Sequence, residues 1–456
     1  MDSVGNERRT IQPFGVNGYP TRDPARALCS GFTNAGHPPI MDTLVSIFKT
    51  MTETPTSYAR TGQADDAPVV VYVQQWLEQA VTLGASDLHF EPYEQHHRLR
   101  LRIDGELREV AQVPQAFRER LPARIKVLAR LDVAEKRLPQ DGRIQFKLSD
   151  GRELDLRVST LPTLFGEKVV VRVLDARAAQ LDLASLGYEP DDLAHLLQAI
   201  RRPHGMVLVT GPTGSGKTQS LYACLNQLNT SEVNIATVED PCEIQMPGVN
   251  QVNVHDKPGL SFAVALRAFL RQDPDILMVG EIRDLETAQI AIQAAQTGHL
   301  VLSTLHTNDA SSTLVRLRNM GIAPYNLAAS VSLVTAQRLV RKLCPHCRSA
   351  TTLPAEVWQQ AGWSDAASLP HNAPSAFLPR GCARCHKGFK GRTGIFQVMP
   401  VSTAMQELIL QDASGLALAR QAQREGVRSL RQAGLRKVWS GETSLDEVLA
   451  ATRDQA

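Results

Sequence analysis

Met206-Val-Leu-Val-Thr210, followed at once by Gly211-Pro-Thr-Gly-Ser-Gly-Lys-Thr218, decides the fold of this chain. MVLVT is short, apolar and rich in β-branched residues, as expected of a strand buried on both faces of a parallel sheet. The segment after it has the form G-x-x-x-x-G-K-T, and QSLYACLNQL (219–228) continues at helical spacing. Strand, glycine loop and helix together are the context in which this motif cradles phosphate. Gly211, Gly214 and Gly216 let backbone N–H groups turn inward, with Pro212, Thr213 and Ser215 completing the loop. A helix that starts at Lys217 adds the positive end of its dipole. Lys217 brings a charge to the phosphates, and Thr218 offers its hydroxyl to Mg²⁺.

Outward from this loop, similar apolar runs recur at ILMVG (276–280) and LVLST (300–304), alternating with helical stretches. That alternation is the βαβ signature and predicts an α/β fold with a parallel sheet. Beyond about residue 325 the pattern predicts mostly helix, interrupted by a Cys-bearing, Pro-rich insert at 344–386. Upstream, VVVYVQQWLEQAVTL (69–83) has helical spacing and stops at Gly84. LHFEP, RLRLRI and ELREVAQV follow, with an Asp104-Gly105 turn that predicts a hairpin. An amphipathic helix over 115–131 and three strands, RIQFKL, ELDLRVST and KVVVRVL, complete a small α+β domain over 66–180. SLGYEPDDL (185–193) reads as a linker to the second domain, 190–456. Residues 1–65 lack sustained periodicity and read as a disordered leader, with a partner-binding arm as the alternative.

Whole-chain composition narrows the function. At about 150 residues per domain, 456 residues suggest roughly three domains. Lys+Arg is 49 against Asp+Glu 47, a net charge of +2, which argues against a polybasic nucleic-acid binder. Aromatic residues make up 5%, so stacking platforms for single strands are not favoured either. No apolar run is long enough to span a bilayer, and the N-terminus has no secretory h-region.

Further candidates for chemistry surround the loop. A phosphate loop needs a carboxylate at the mouth of a neighbouring strand. Glu281 ends ILMVGE, and Glu239 opens a second acidic cluster, Glu239-Asp-Pro-Cys-Glu243, after NIATV. Either can bind Mg²⁺ or polarise the attacking water. His299 and His306 flank LVLSTL, where they suit γ-phosphate sensing or a bridge to another subunit. Arg157 and Arg172 lie inside apolar strands and need anionic partners, either carboxylates of their own domain or a phosphate in transfer. Cys344-x-x-Cys347 and Cys382-x-x-Cys385 suit a closed tetrahedral Zn²⁺ site, and His346 and His386 lie beside them as substitute ligands. The thioredoxin-type alternative is disfavoured because neither pair opens a helix after a suitable strand. Cys29, Cys224 and Cys242 have no ligand spacing and read as ordinary reduced thiols.

GPTGSGKT, TVEDPCEI, LRQDPDILMVGEIRD and TGHLVLSTLHTNDA resemble, in order, the Walker A, Asp box, Walker B and His box of the type II/IV secretion ATPase superfamily. ASDLHFEP, RLPQDGRI and DLRVSTLPTLFGEKVVVRVLD resemble its second N-terminal domain, and AQRLVRKLCPHC with GRTGIF its tetracysteine region. PGVNQVNV and IAIQAAQTGH are more similar to the type IV pilus assembly (extension) branch, with the type II secretion branch as the alternative. The tetracysteine insert argues against the retraction branch. The resemblance implies a RecA-like ATPase domain behind a PAS-like domain. It also implies homohexamers on the cytoplasmic face of the inner membrane that act on a platform protein. ATP would lie between the two domains, with Arg157 and Arg172 approaching its phosphates; Arg267 and Arg271 resemble further interface arginines. Two departures stand out. Residues 1–65 do not resemble the family's additional N-terminal domain, and Gln397 stands where Glu is usual, which predicts a local loss of charge without loss of activity. Two other classes compete with the motor: a nucleic-acid translocase, which the charge balance disfavours, and a non-hydrolysing nucleotide-gated scaffold, which the carboxylates disfavour.

Overall fold

In a computed structural model of the chain, residues 67–174, 182–255, 259–363 and 376–453 are described. The leader and Cys29 lie outside them. Helix α1 (Ala67–Thr82) buries Val69, Tyr72, Val73, Trp76, Leu77 and Ala80, a single stripe at helical spacing. It gives way at Gly84, whose φ of 68° lies in the left-handed region that glycine enters freely.

Six strands then form an antiparallel sheet: β1 (Ala85–Pro92), β2 (His97–Ile103), β3 (Glu106–Gln112), β4 (Gln140–Lys147), β5 (Glu153–Thr163) and β6 (Gly166–Leu174). Their spatial order is β3-β2-β1-β6-β5-β4. Alternation is clean along β2: Leu99, Leu101 and Ile103 are buried, while Arg98, Arg100 and Arg102 share the other face. The predicted helix over 115–131 is shorter. A 3₁₀ turn (Gln115–Phe117), opened by Pro114 and tied to α1 by the Phe117 ring at 5.3 Å from that of Tyr72, precedes α2 (Arg120–Leu128).

The predicted linker at 185–193 is structured instead. A short 3₁₀ turn (Leu183–Leu186), capped by Asp182, leads into α3 (Pro190–Ile200), whose first position is the proline. A larger sheet follows, with β7 (Gly205–Thr210), α4 (Lys217–Leu228), β8 (Ile235–Glu239), β9 (Val249–Asn253), α5 (Phe262–Phe269), β10 (Ile276–Val279), α6 (Leu285–Gln296), β11 (Leu300–Leu305), α7 (Ala310–Asn319) and α8 (Pro324–Ser330).

The chain then departs from the helical expectation. β12 (Val331–Leu343) is a 13-residue strand, and after β13 (Ser349–Thr351), α9 (Ala355–Gln360) and β14 (Ala376–Leu378), β15 (Phe389–Pro400) pairs with it antiparallel. VSLVTAQRLVRKL is flanked by β7 and β15 and is buried on both faces over most of its length. It therefore lacks a period-2 signature, and its Leu, Ala, Gln and Arg content suits a helix equally well. The sheet order is β15-β12-β7-β11-β10-β8-β9. Helices do close the chain: α10 (Thr403–Leu410), α11 (Gly415–Arg424), α12 (Leu430–Trp439) and α13 (Leu445–Ala451). Ser402, Ser414, Ser429 and Ser444 each cap one of them by accepting a backbone N–H of its first turn.

Alternate residues of the parallel strands feed two cores. Met206, Leu208, Leu277 and Val279 pack on one face, and Val207, Val209, Ile276 and Met278 on the other. At about 1.5–3 kcal/mol per buried aliphatic side chain, this layer is what fixes the loop at the end of β7. Among the described residues, no helix is long and apolar enough to cross a membrane.

The two sheets meet where the β2–β3 turn touches the end of β12. Glu106 Oε1 lies 2.8 Å from Arg341 Nη1, and Asp104 Oδ2 accepts the Gly391 N–H at 3.0 Å. Arg341 also pairs with Glu447 on α13 at 2.6 Å and covers the Phe389 ring at 4.3 Å.

Candidate nucleotide and metal sites

Residues 211–216 form a turn that three left-handed glycines make possible. Gly211, Gly214 and Gly216 have φ of 149°, 79° and 90°. At Gly211 a Cβ would also stand 2.6 Å from Gln337 O and 2.5 Å from Ser215 Oγ, so both conformation and space exclude a side chain. Helix α4 begins at Lys217, as the motif predicts. Lys217 Nζ donates to the loop's own Gly211 and Pro212 carbonyls at 2.8 and 3.3 Å. Burial holds this ammonium below its ordinary pKa; nearby Glu281 acts against that shift and Arg338 with it. A phosphate would replace the two carbonyls as its partner. Thr218 is half-buried in the first turn of the helix.

The loop is braced from behind by a residue that sequence reasoning missed. Gln337 on β12 is 2% exposed; its Nε2 donates to Ser215 O at 2.8 Å and its Oε1 accepts from Ser220 Oγ at 2.9 Å. Next to it, Arg338 is 8% exposed and donates to Gln337 O and to Asn308. The available signal was a polar pair set in an otherwise apolar run.

The two candidate carboxylates have different surroundings. Glu281 follows β10 at the C-terminal edge of the sheet, on the same edge as the glycine loop. Arg283 pairs with it, and His306 Nε2 stands 3.4 Å from its Oε2. Glu239 ends β8 and is 4% exposed. Its oxygens accept from Tyr222 OH at 2.5 Å, Thr237 Oγ1 at 2.7 Å and Gln251 Nε2 at 3.3 Å. Neutral donors thus surround Glu239, whereas Glu281 is held between Arg283 and His306 and its charge acts on the loop lysine.

The structure brings His306, and not His299, to this edge. His299 precedes β11, so the whole strand, about 20 Å at 3.3 Å per residue, separates it from His306. Its Nδ1 contacts Ala294 O at 3.0 Å. In a parallel sheet only C-terminal strand ends face the loop, and sequence spacing alone does not distinguish the two ends.

Arg157 and Arg172 lie on β5 and β6. Arg157 Nη2 donates to Cys242 O in the loop after β8, and Arg172 Nε pairs with Asp87 at 3.0 Å. Arg267 pairs with Glu286 at 2.6 Å, while Arg271 donates to Arg267 O at 2.7 Å. Gln397 Oε1 accepts the Ala310 N–H at the start of α7, so a neutral acceptor serves that helix end.

Cys344, Cys347, Cys382 and Cys385 come together, with all four Sγ atoms within 4.8 Å of one another. Cys344–Cys382, Cys347–Cys385 and Cys382–Cys385 are 3.9, 3.6 and 3.6 Å apart. A tetrahedron with metal–sulfur bonds of roughly 2.3 Å has edges of about 3.8 Å, so the set fits a four-thiolate ion. His346 and His386 are not in the set; His386 Nε2 instead lies 3.7 Å from Glu106. Burial pushes the Cys224 thiol up to about 12, and burial together with Glu239 does the same to Cys242. Both are inert thiols at neutral pH.

Residues 62–450 match the family described as Type II/IV secretion system protein. The chain is 53% identical over 390 residues to the type IV pilus assembly ATPase PilB of Acinetobacter baylyi, covering 86% of this chain and 67% of that one. It is also 53% identical over 395 residues to PilB of Pseudomonas aeruginosa, with 86% and 69% covered. Against the type II secretion system protein HxcR of Pseudomonas aeruginosa the figure is 50% over 391 residues, with 86% and 78% covered. Among solved structures, the Legionella pneumophila ATPase DotB superposes with a TM-score of 0.63 at 20% identity, covering 89% of this chain and 98% of that one. The pilus retraction motor PilT with bound ADP gives 0.56 at 24% identity, with 83% and 96% covered. These two share the α/β fold. With the phosphate loop, the carboxylate edge and the four-cysteine cluster in the family's order, and a match spanning residues 62–450, the chain belongs to the Type II/IV secretion system protein family, as an ATPase of its α/β fold.

Proposed function

We propose that this chain is the ATP-hydrolysing motor of type IV pilus assembly. It works as a homohexamer on the cytoplasmic face of the inner membrane and acts on a platform protein there. The observation that carries the reading is Glu281 at the same sheet edge as the phosphate loop, flanked by Arg283 and His306. The 53% identity to pilus assembly ATPases, against 50% to a type II secretion relative, favours pilus assembly over secretion.

In this reading the N–H groups of residues 211–218 and Lys217 hold the β- and γ-phosphates. Thr218 and Glu281 hold Mg²⁺, which when bound neutralises phosphate charge. Glu281 is the better candidate to orient and deprotonate the attacking water, since it stands at the loop's edge of the sheet between Arg283 and His306, whereas Glu239 is buried among neutral donors. Glu239 acts instead as a buried anchor for the loop after β8. His306 relays the state of Glu281, and Arg157 and Arg172 meet the phosphates when the small domain (66–180) rotates on the larger one (190–456). His299, at the opposite end of β11, is assigned to a neighbouring subunit. The four cysteines hold a structural Zn²⁺.

Lys217→Ala and Glu281→Gln test this. Each is expected to lower phosphate release from Mg·ATP by about 10²-fold or more while the circular dichroism spectrum stays that of the parent. Cells carrying either variant should lose surface pili. Full turnover in either would refute the assignment, and loss of protein export with pili intact would move the chain to type II secretion.

A further inference from the structure

The small domain carries one charged residue that the motor reading does not use, Arg143, set in a row with two that it does. On β4, β5 and β6, Arg143 lies directly opposite Arg157, and Arg157 directly opposite Arg172. Directly opposed residues share a face, with Cβ atoms about 4.5–5.5 Å apart. The row continues to Asp87 on β1 and Arg102 on β2, so five neighbouring positions hold four guanidiniums and one carboxylate. Asp87 is already engaged, at 3.0 Å from Arg172 and 3.7 Å from Arg102. Among the described residues no carboxylate forms an ion pair with Arg143 or Arg157. Arg157 Nε is buried without a hydrogen-bond partner, and Arg143 is exposed.

Like charges placed directly opposite one another on a sheet are unfavourable. Burial and the two flanking arginines both push the Arg157 guanidinium below its ordinary pKa, with Glu243 opposing them. A row of this kind is stabilised by an anion that spans it. Three guanidiniums at about 5 Å intervals reach over about 10 Å, which suits a polyphosphate chain better than a single phosphate. The row also faces the correct edge. Arg157 touches Cys242 in the loop that follows β8, at the C-terminal edge where β7 carries the phosphate loop. In sheet order β7, β11, β10 and β8 are consecutive, a separation of about 14 Å at 4.8 Å per strand.

We propose that Arg143 is a third phosphate-contacting arginine: with Arg157 and Arg172 it forms a row that takes the polyphosphate of the nucleotide when the small domain closes along this edge. The proposal rests on the motor reading above. Arg172 keeps its Asp87 partner and orients the row, so Arg143 and Arg157 carry the surplus charge. Because the row matches a chain of phosphates, its contribution grows from monophosphate to triphosphate.

The test uses the full chain with Arg143→Ala and Arg143→Lys. Measured quantities are phosphate-release kcat and KM, ATP and ADP dissociation constants by fluorescence, and the thermal midpoint with and without nucleotide. For Arg143→Ala we expect kcat/KM to fall at least about tenfold. ATP affinity should fall more than ADP affinity, and the nucleotide-free midpoint should hold or rise, because a like-charge neighbour is gone. Lys should recover part of the loss. A lowered nucleotide-free midpoint with an unchanged ATP-to-ADP affinity ratio would show a merely structural arginine and overturn the proposal. Parental kinetics in Arg143→Ala, alongside loss of turnover in Lys217→Ala, would overturn it while leaving the motor standing. A wild-type chain that does not hydrolyse ATP would overturn the motor reading, and the row's role with it.

Discussion

Replacing Gln337 with Met separates hydrogen bonding from packing behind the phosphate loop. Met keeps the length and flexibility of the side chain, so little cavity opens. Two buried groups lose their partner, the Ser215 carbonyl and the Ser220 hydroxyl, in residues 3% and 2% exposed. An orphaned buried polar group costs about 1–3 kcal/mol, so the variant should lose about 2–4 kcal/mol after partial relaxation. Each kcal/mol moves the thermal midpoint of a domain this size by about 2–4 °C, so a fall of at least about 4 °C is expected. The nucleotide dissociation constant should rise as well, because Ser215 lies inside the loop that receives the phosphates. A second substitution sharpens the test. Ser220→Ala removes one of the orphans, so the double variant should be less destabilised than the sum of the two singles. A midpoint within about 1 °C of the parent, or strict additivity, would refute the idea that Gln337 holds the loop.

Burial of a histidine and the cysteine cluster set two further expected outcomes. His97 is 1% exposed with neither ring nitrogen hydrogen-bonded, and burial with Arg118 lowers its pKa to about 4. The folded state therefore keeps it neutral while the unfolded chain takes a proton near pH 6.5. The stability this gives is fully present above 6.5 and is lost as pH falls toward 4, by about 2 kcal/mol at pH 5. Urea unfolding at pH 7.5 and 5.0 should show this difference, and His97→Leu should reduce it; an unchanged difference in that variant would assign the pH dependence elsewhere. Elemental analysis of the purified chain should find a single zinc ion. Cys385→Ser should lose that ion and lower the thermal midpoint, whereas full zinc retention would mean the four thiolates are not its ligands.

The parts that could be read from sequence were those with local chemistry. The glycine loop shows itself because only glycines tolerate its backbone, and the paired cysteines because a tetrahedral ion needs two short spacings. The parallel strands ILMV and LVLSTL were evident as apolar runs. What was hidden depended on neighbours in space. β12 has no alternation because β7 and β15 flank it, so Gln337 and Arg338 were lost in a stretch that reads as helix. His299 and His306 look equivalent along the chain, and only the parallel direction of β11 separates them. Glu239 and Glu281 have similar local sequence, and the difference comes from Tyr222 and Gln251, which are 17 and 12 residues away from Glu239.

β12 touches both halves of the molecule. Gln337 grips the loop, and four residues later Arg341 grips Glu106 of the smaller sheet. Even spacing places both on one face of the strand, about 13 Å apart. The stretch between them is bonded to β15 on one side, with no turn or glycine to absorb strain. The segment has the build of a push-rod: the phosphate loop and the hairpin anchor sit at the two ends of one stiff stretch of backbone, so their positions are tied to each other.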